Sequence, residues 1–356
     1  MIDKQDKIKL DGRIYHANNM DEFGLLYGQN NSWRNDIDLF LRNWFDDTDY
    51  ISTRTSGSTG EPKEIRLSKK AMRNSAAMTN AFFGLDKSKN ALLCMPAAYI
   101  AGKMMLVRAI VGGFNLIATE PKANPFLNLN AEIDFTAITP YQLTNSAETL
   151  KTARVKNIIV GGGHVSEKHE ALASEISAKM YETYGMTETA SHIALRCFNG
   201  AGKAECFTVL DGVTIRQDAR GCLVVLAPHI IDCELVTNDI VQIVASNSFR
   251  WLGRADNVIN SAGVKIFPEE VEKKLENFIP HRFMIGSLYD EVLENKVVLL
   301  IEAAEFDYEF ENEMRKHMSA CLRKYEIPKE IHYIPRFVCS ASDKVLRKET
   351  MKLLKP

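Results

Sequence analysis

Between residues 91 and 230 short apolar runs alternate with helix-patterned ones, and this alternation constrains the fold more than any other feature. "ALLCMP", "FNLIAT", "FTAITP", "VKNIIVGGG" and "KMYETYG" read as buried strands. "KMMLVRAIV", "TPYQLTNSAETLK" and "SEKHEALASEIS" read as the helices between them. Strands of this kind separated by helices predict an α/β fold, with a largely parallel sheet covered on both faces. Several of the strands end at polar or glycine-rich corners, where open α/β sheets bind ligands.

On either side the pattern differs. Residues 33–46, "WRNDIDLFLRNWFD", space Ile37, Phe40, Leu41, Trp44 and Phe45 as one face of an amphipathic helix. "YISTR" (50–54) and "EIRLS" (64–68) are short strands around a glycine loop, and Ser68 is placed to cap the helix that follows. After about residue 205 shorter strands appear: "CLVVLAP", "CELVTNDIVQIV" and "FRWLG". From Arg254 a compact α+β unit begins, with "PEEVEKKLENF", "NKVVLLIEA" and "YEFENEMRKHMSACLRKY". The expected organisation is a large domain over 1–253 and a small, mobile C-terminal domain over 254–356.

The 356 residues carry a net charge of −2, which gives no reason to expect nucleic acid or an anionic membrane as partner. The apolar stretch from Asn90 to Leu116 is interrupted by Lys103 and Arg108, which argues against membrane insertion. "MIDKQDKIKLDGRIY" lacks the apolar core of a signal peptide. Seven cysteines without a CxxC pair read as reduced thiols, so a cytoplasmic protein is expected.

Five segments carry chemistry. In "TSGSTGEPK", Thr55, Ser56, Ser58 and Thr59 supply hydroxyls, Gly57 and Gly60 admit close backbone approach, and Lys63 adds a positive charge. The set suits a polyphosphate, although Pro62 and the short glycine spacing break the Walker pattern; a plain Ser/Gly turn is the competing reading. In "YETYGMTETASH", Tyr184 offers a ring to a purine, Thr187 a hydroxyl and Glu188 a hard oxygen for Mg2+, against a surface turn with an isolated acid. "IIVGGGHVSE" runs a strand into Gly161, Gly162 and Gly163, either for a flat ligand or for a tight turn; His164 and His169 make no HExxH. "GRADNVINSAGVKIFPEEVE" places Arg254 where it could meet a ribose and Gly263 in an exposed turn, while "SASDKVLRKE" holds Lys344 in a polar loop.

In this order the five segments resemble the adenylate-forming enzymes: acyl-CoA synthetases, peptide-synthetase adenylation domains and luciferases. The resemblance implies ATP, Mg2+ and coenzyme A as reactants or cofactors, and a small carboxylic acid as substrate. It further implies that Thr55–Lys63 handles the β- and γ-phosphates, Thr187 the α-phosphate and Glu188 the metal. Gly162, Gly163 and Tyr184 would frame the adenine, and Asp239 and Arg254 the ribose. Lys344 would bridge carboxylate and phosphate, Asp256 would be a hinge, and Ala262–Gly263 would approach a thiol tunnel. "TND" at 237–239 and "SDK" at 342–344 depart from the family pattern, with Asn238 and Asp343 in place of glycines. The phosphate loop also comes earlier than is usual, which implies a shortened N-terminal subdomain.

For the acid, "MPAAYIAGKMMLVRAIVGGF" is similar to the family's "PxFHxxG" segment, with Tyr99 in the histidine place. Tyr99 would flank the acyl pocket. Lys103 or Arg108 could meet a second carboxylate, as could His192; each is equally readable as an ordinary helix charge or core histidine. "YIAGKMMLVRAI" and "MTETASHIALR" look like the o-succinylbenzoate–CoA ligases of menaquinone synthesis. A ligase for another small aromatic or aliphatic acid, using CoA or a carrier protein, is the runner-up. A non-catalytic nucleotide-binding relative is disfavoured because Glu188 and Lys344 are retained. A homodimer is the candidate assembly.

Overall fold

The computed structural model describes residues 6–27, 32–54, 64–304, 308–339 and 345–354. The phosphate-loop candidates 55–63, and Asp343 and Lys344, lie outside the described residues. One large mixed sheet organises the chain. Its parallel half contains the strands Asn115–Ala118, Asn90–Leu93, Ile133–Ile138, Val155–Val160 and Lys179–Gly185, side by side in that order. These are the five apolar runs of the sequence. The three central ones, Asn90–Leu93, Ile133–Ile138 and Val155–Val160, are mostly buried on both faces because helices cover both, whereas Asn115–Ala118 and Lys179–Gly185 alternate in burial.

Ahead of this sheet stand the helices α1 (Met20–Tyr27) and α2 (Ser32–Phe45), the second of them matching the amphipathic pattern at 33–46. Tyr50–Arg54 and Glu64–Ser68 pair as an antiparallel hairpin around the glycine loop. The Ser68 hydroxyl accepts the Ala71 N–H at 3.0 Å and so starts α3 (Lys69–Phe83). With α4 (Ile100–Gly112), α3 contributes to the main core on one face of the sheet. On the other face α5 (Pro140–Leu150) and α6 (Glu167–Ala173) enclose a second core around Phe126, Leu143, Ile158 and Phe198.

Beyond Lys179–Gly185 the direction of the sheet changes. His192–Cys197 runs antiparallel to it, followed by Phe207–Val209, Ser248–Arg254, Leu235–Ala245, Cys222–Leu226 and Thr214–Gln217. The large sheet is therefore mixed, with its parallel strands within residues 90–185, joined in parallel by Ile8–Leu10, and an antiparallel half beyond them. At the far edge Ile8–Leu10 pairs in parallel with Asn115–Leu116, and Arg13–Tyr15 folds back on it. Asp11 and Gly12, both at positive φ, make that turn, an Asp-Gly hairpin signal.

After Arg254 come a two-stranded hairpin, Ile259–Ser261 with Val264–Ile266, and a smaller three-stranded sheet. That sheet carries Phe283–Asp290, Glu294–Glu302 and Glu330–Ile334, packed with α7 (Pro268–Leu275), α8 (Tyr308–Cys321) and α9 (Arg347–Lys352). Its core, built on Val271, Leu275, Leu299, Ile301 and Met314, is separate from those of the large sheet. No helix among the described residues is long and apolar enough to cross a membrane.

Candidate active site

The strand Lys179–Gly185 ends at a glycine for a steric reason. A Cβ on Gly185 would stand 2.5 Å from the Cα of His192, because the chain turns back sharply into the next strand. Within that turn the Met186 N–H donates to Thr189 Oγ1 at 3.1 Å, and Thr189 Oγ1 lies 2.7 Å from the Ser191 carbonyl. Ala190 takes φ 59°, an unfavourable region for a residue with a Cβ. The turn leaves Thr187 half-buried and Glu188 exposed.

Tyr184, one residue before Gly185, packs edge-on against Phe249, with ring centroids 5.1 Å apart. Its hydroxyl donates to Asp239 Oδ2 at 2.7 Å. Burial, and then Asp239, push the Tyr184 hydroxyl pKa far above its usual range, so it is a fixed donor. Asp239 Oδ1 accepts Trp251 Nε1 at 3.3 Å and Arg254 Nη1 at 3.4 Å. Asp239 and Arg254 are direct partners in the antiparallel pairing, which explains how residues 15 apart in sequence meet.

Gly163, Tyr184, Gly185 and Asp239 line a cleft of about 940 Å3, together with Glu269 and Arg347 of the C-terminal unit. Gly162 takes φ 81° just before Gly163, so glycine is needed there to turn the backbone. Position 161 is crowded instead, since a Cβ would strike the Thr183 hydroxyl. His164 also lines the cleft and lies 3.4 Å from Glu182, while His169 is occupied in capping α6 with Ser166.

The remaining positions fall elsewhere. Tyr99 stands at the N-terminus of α4, 59% exposed. Lys103 donates to the Ser52 carbonyl at 2.9 Å, on the strand that leads into the glycine loop, so it is not grouped with Arg108. Arg108 and His192 do meet, through Ser191. Asp256 accepts a hydrogen bond from the Asn238 side chain. Ala262 and Gly263, at φ 49° and 79°, form the exposed tip of the hairpin, as "SAG" suggests. Trp251 and Ser191 escaped sequence reasoning. Trp251 reads as one more strand aromatic, and Ser191 as an ordinary residue near the end of "YETYGMTETASH".

A profile of AMP-binding enzymes matches residues 45–217. An acyl-CoA synthetase (AMP-forming)/AMP-acid ligase II-like protein from Dyadobacter fermentans is 34% identical, with 92% of this chain and 95% of that one aligned, at a TM-score of 0.61. The chain belongs to the AMP-binding enzyme family. Among the curated members, a 2-succinylbenzoate–CoA ligase from Bacillus cytotoxicus is 25% identical over 84% of this chain and 69% of its own length. The o-succinylbenzoate coenzyme A synthetase of Bacillus subtilis, solved with ATP and magnesium ion, shares the fold at a TM-score of 0.71. It is 20% identical over 84% of this chain and 69% of that one. Within the AMP-binding family fold, the cleft beside Tyr184 and Asp239 lies at the strand ends, where α/β sheets take their ligands.

Proposed function

We propose that this protein is an AMP-forming acid–CoA ligase and that its acid is o-succinylbenzoate. The observation that carries the reading is the convergence of Gly163, Tyr184 and Asp239 on one cleft, with Thr187 and Glu188 on the turn that leaves it. The names of the relatives support the choice of acid.

In this reading the adenine lies between Gly162–Gly163 and Tyr184. Asp239, already holding three donors, accepts from the ribose hydroxyls with Arg254 beside it. An acid carboxylate forms a bond to the α-phosphorus of ATP as the bond to pyrophosphate breaks. Thr187 donates to the α-phosphate. The loop Thr55–Lys63 covers the leaving phosphates, and Lys344 neutralises the meeting of two anions. Coenzyme A thiolate then attacks the acyl carbon and AMP leaves.

Glu188 fits a magnesium ion of the kind bound by one carboxylate plus substrate phosphates: it is exposed, and no cluster of three His, Cys, Asp or Glu exists among the described residues. Bound there, the ion would neutralise phosphate charge. The chain is proposed to work as two units, 1–253 and 254–356, rotating about Asp256 to bring Ala262–Gly263 to the thiol, in the cytoplasm.

The test is CoA-thioester formation and ATP–pyrophosphate exchange across a panel of acids. Exchange and thioester formation with o-succinylbenzoate are expected. Exchange with another acid alone would replace the substrate, and none with any acid would remove the ligase activity.

A further inference from the structure

Glu272, on α7, and Arg347, at the start of α9, form an ion pair whose side chains are 18% and 24% exposed. Both clasp one peptide of the strand Phe283–Asp290. Glu272 Oε1 accepts the Ile285 N–H at 2.6 Å, and Arg347 Nη1 donates to the Ile285 carbonyl at 3.1 Å. Arg347 Nη2 donates to Glu272 Oε2. Two helices and a strand are thus joined at a single residue. Beside it, a Cβ on Gly286 would stand 2.4 Å from Met351 Sδ, so α9 is pressed onto the strand.

The segment held in this way begins directly after Lys344 in the sequence. Val345 forms an antiparallel bridge with Cys339, and the Leu346 N–H donates to the Val338 carbonyl at 2.8 Å. Thr350, fully buried, accepts the Val338 N–H at 3.2 Å. These contacts tie 345–350 to its own neighbours in the chain, and none of them reaches α7. The Glu272–Arg347 pair does reach it, and both members line the cleft with Tyr184 and Asp239. Ala262 and Gly263 are not among the residues lining that cleft. The face that the C-terminal unit turns to the cleft is therefore the one built on Glu272 and Arg347.

Stability alone is a poor reason for such a pair, since taking two charges out of water offsets most of their attraction. Burial raises the Glu272 carboxyl above the usual carboxylate range, with Arg347 opposing the rise and Glu269 adding to it. What the pair does supply is register. A shift of α9 by one residue would turn Arg347 away and leave Glu272 buried without its cation. Resting on the acid-activating reading above, we infer that Glu272 and Arg347 are positioning residues for the first half-reaction. Arg347 sets the register of the segment that follows Lys344, and Glu272 fixes that segment to the cleft wall. Both act through the segment, not on the reacting atoms. The second half-reaction, which the same reading gives to the Ala262–Gly263 side of the unit, does not depend on them.

The experiment measures the two half-reactions separately on the full chain. The first is ATP–pyrophosphate exchange with o-succinylbenzoate, or with whichever acid wild type activates. The second is CoA-thioester formation from the acyl-adenylate of that acid, supplied ready-made. Glu272→Gln keeps the shape but sets an amide N–H against one of the two donors. It should lower kcat of pyrophosphate exchange at least about tenfold, with KM for ATP and the thioester rate each within about threefold. Arg347→Lys should retain more of this activity than Arg347→Met. Amide hydrogen exchange over 345–350 should rise several-fold in Glu272→Gln. Equal loss in both half-reactions makes the pair purely structural and overturns the inference, as does an unchanged first half-reaction or unchanged amide protection. If Glu272→Gln does not fold, Arg347→Lys is read in the same assays. A wild type that activates no acid defeats the ligase reading alone, because amide hydrogen exchange still decides whether Glu272 holds the segment.

Discussion

The Tyr184 hydroxyl donates to Asp239 at 2.7 Å and fixes a carboxylate that Trp251 and Arg254 hold from its other oxygen. Asp239 is thereby oriented before any ligand arrives. Tyr184→Phe removes one hydrogen bond of about 1 kcal/mol while keeping the ring packed on Phe249. AMP binding should weaken by about three- to tenfold by calorimetry. Asp239→Ala should weaken it further, and unchanged binding in both variants would take the pair out of nucleotide recognition.

Asn238, standing where the family pattern has glycine, donates to Asp256. A glycine has no side chain to do so. Asn238→Gly should release the segment 254–258 and raise its amide exchange rates several-fold. Equal exchange would show that the contact does not restrain the segment.

His192 is buried beside Arg108, and burial first and then that cation hold its pKa well below the usual value. The folded protein keeps it neutral, whereas the unfolded chain protonates it near pH 6.5. The unfolded state thus binds more protons below that pH, and stability falls as pH drops from 7 to 5.5. The contribution has a limiting slope of about 1.4 kcal/mol per pH unit. Urea unfolding of wild type and His192→Asn at both pH values checks this; the variant should show the shallower loss.

Lys344→Ala should abolish pyrophosphate exchange while leaving AMP affinity within about twofold, since its expected role is in the meeting of two anions. Activity retained near the wild-type rate would remove that lysine from the first half-reaction.

The buried Arg196, which lines the cleft with Glu170 and Glu182, offers a stability test. Arg196→Met strands Glu182 and Glu170, and loss of one partner of a buried pair costs about 3–5 kcal/mol. A drop in the urea midpoint is expected, and a change under 1 kcal/mol would mean that water and Lys203 compensate.

Much of the parallel half of the sheet was legible because its central strands are mostly buried on both faces. In "VKNIIVGGG" the short β-branched apolar run bounded by glycines suits a buried strand, and the helices between have their own period. The edge strands Ile8–Leu10 and Arg13–Tyr15 were not seen despite the Asp11–Gly12 signal. Three-residue strands carry too few side chains to establish a period. His192–Cys197 was also unseen as a strand, because its partner is decided by the turn at Ala190.

By itself, then, the sequence determined the α/β class through its local pattern and the family through the ordered resemblance of its motifs; Gly163, Tyr184 and Asp239, which that resemblance named, line one cleft. Tertiary structure decided which side chains meet. Lys103 and Arg108 lie five apart on one helix, yet the first turns to the Ser52 carbonyl and the second to Ser191. That divergence depends on what packs against each face of α4, and burial among distant segments is not written in local order.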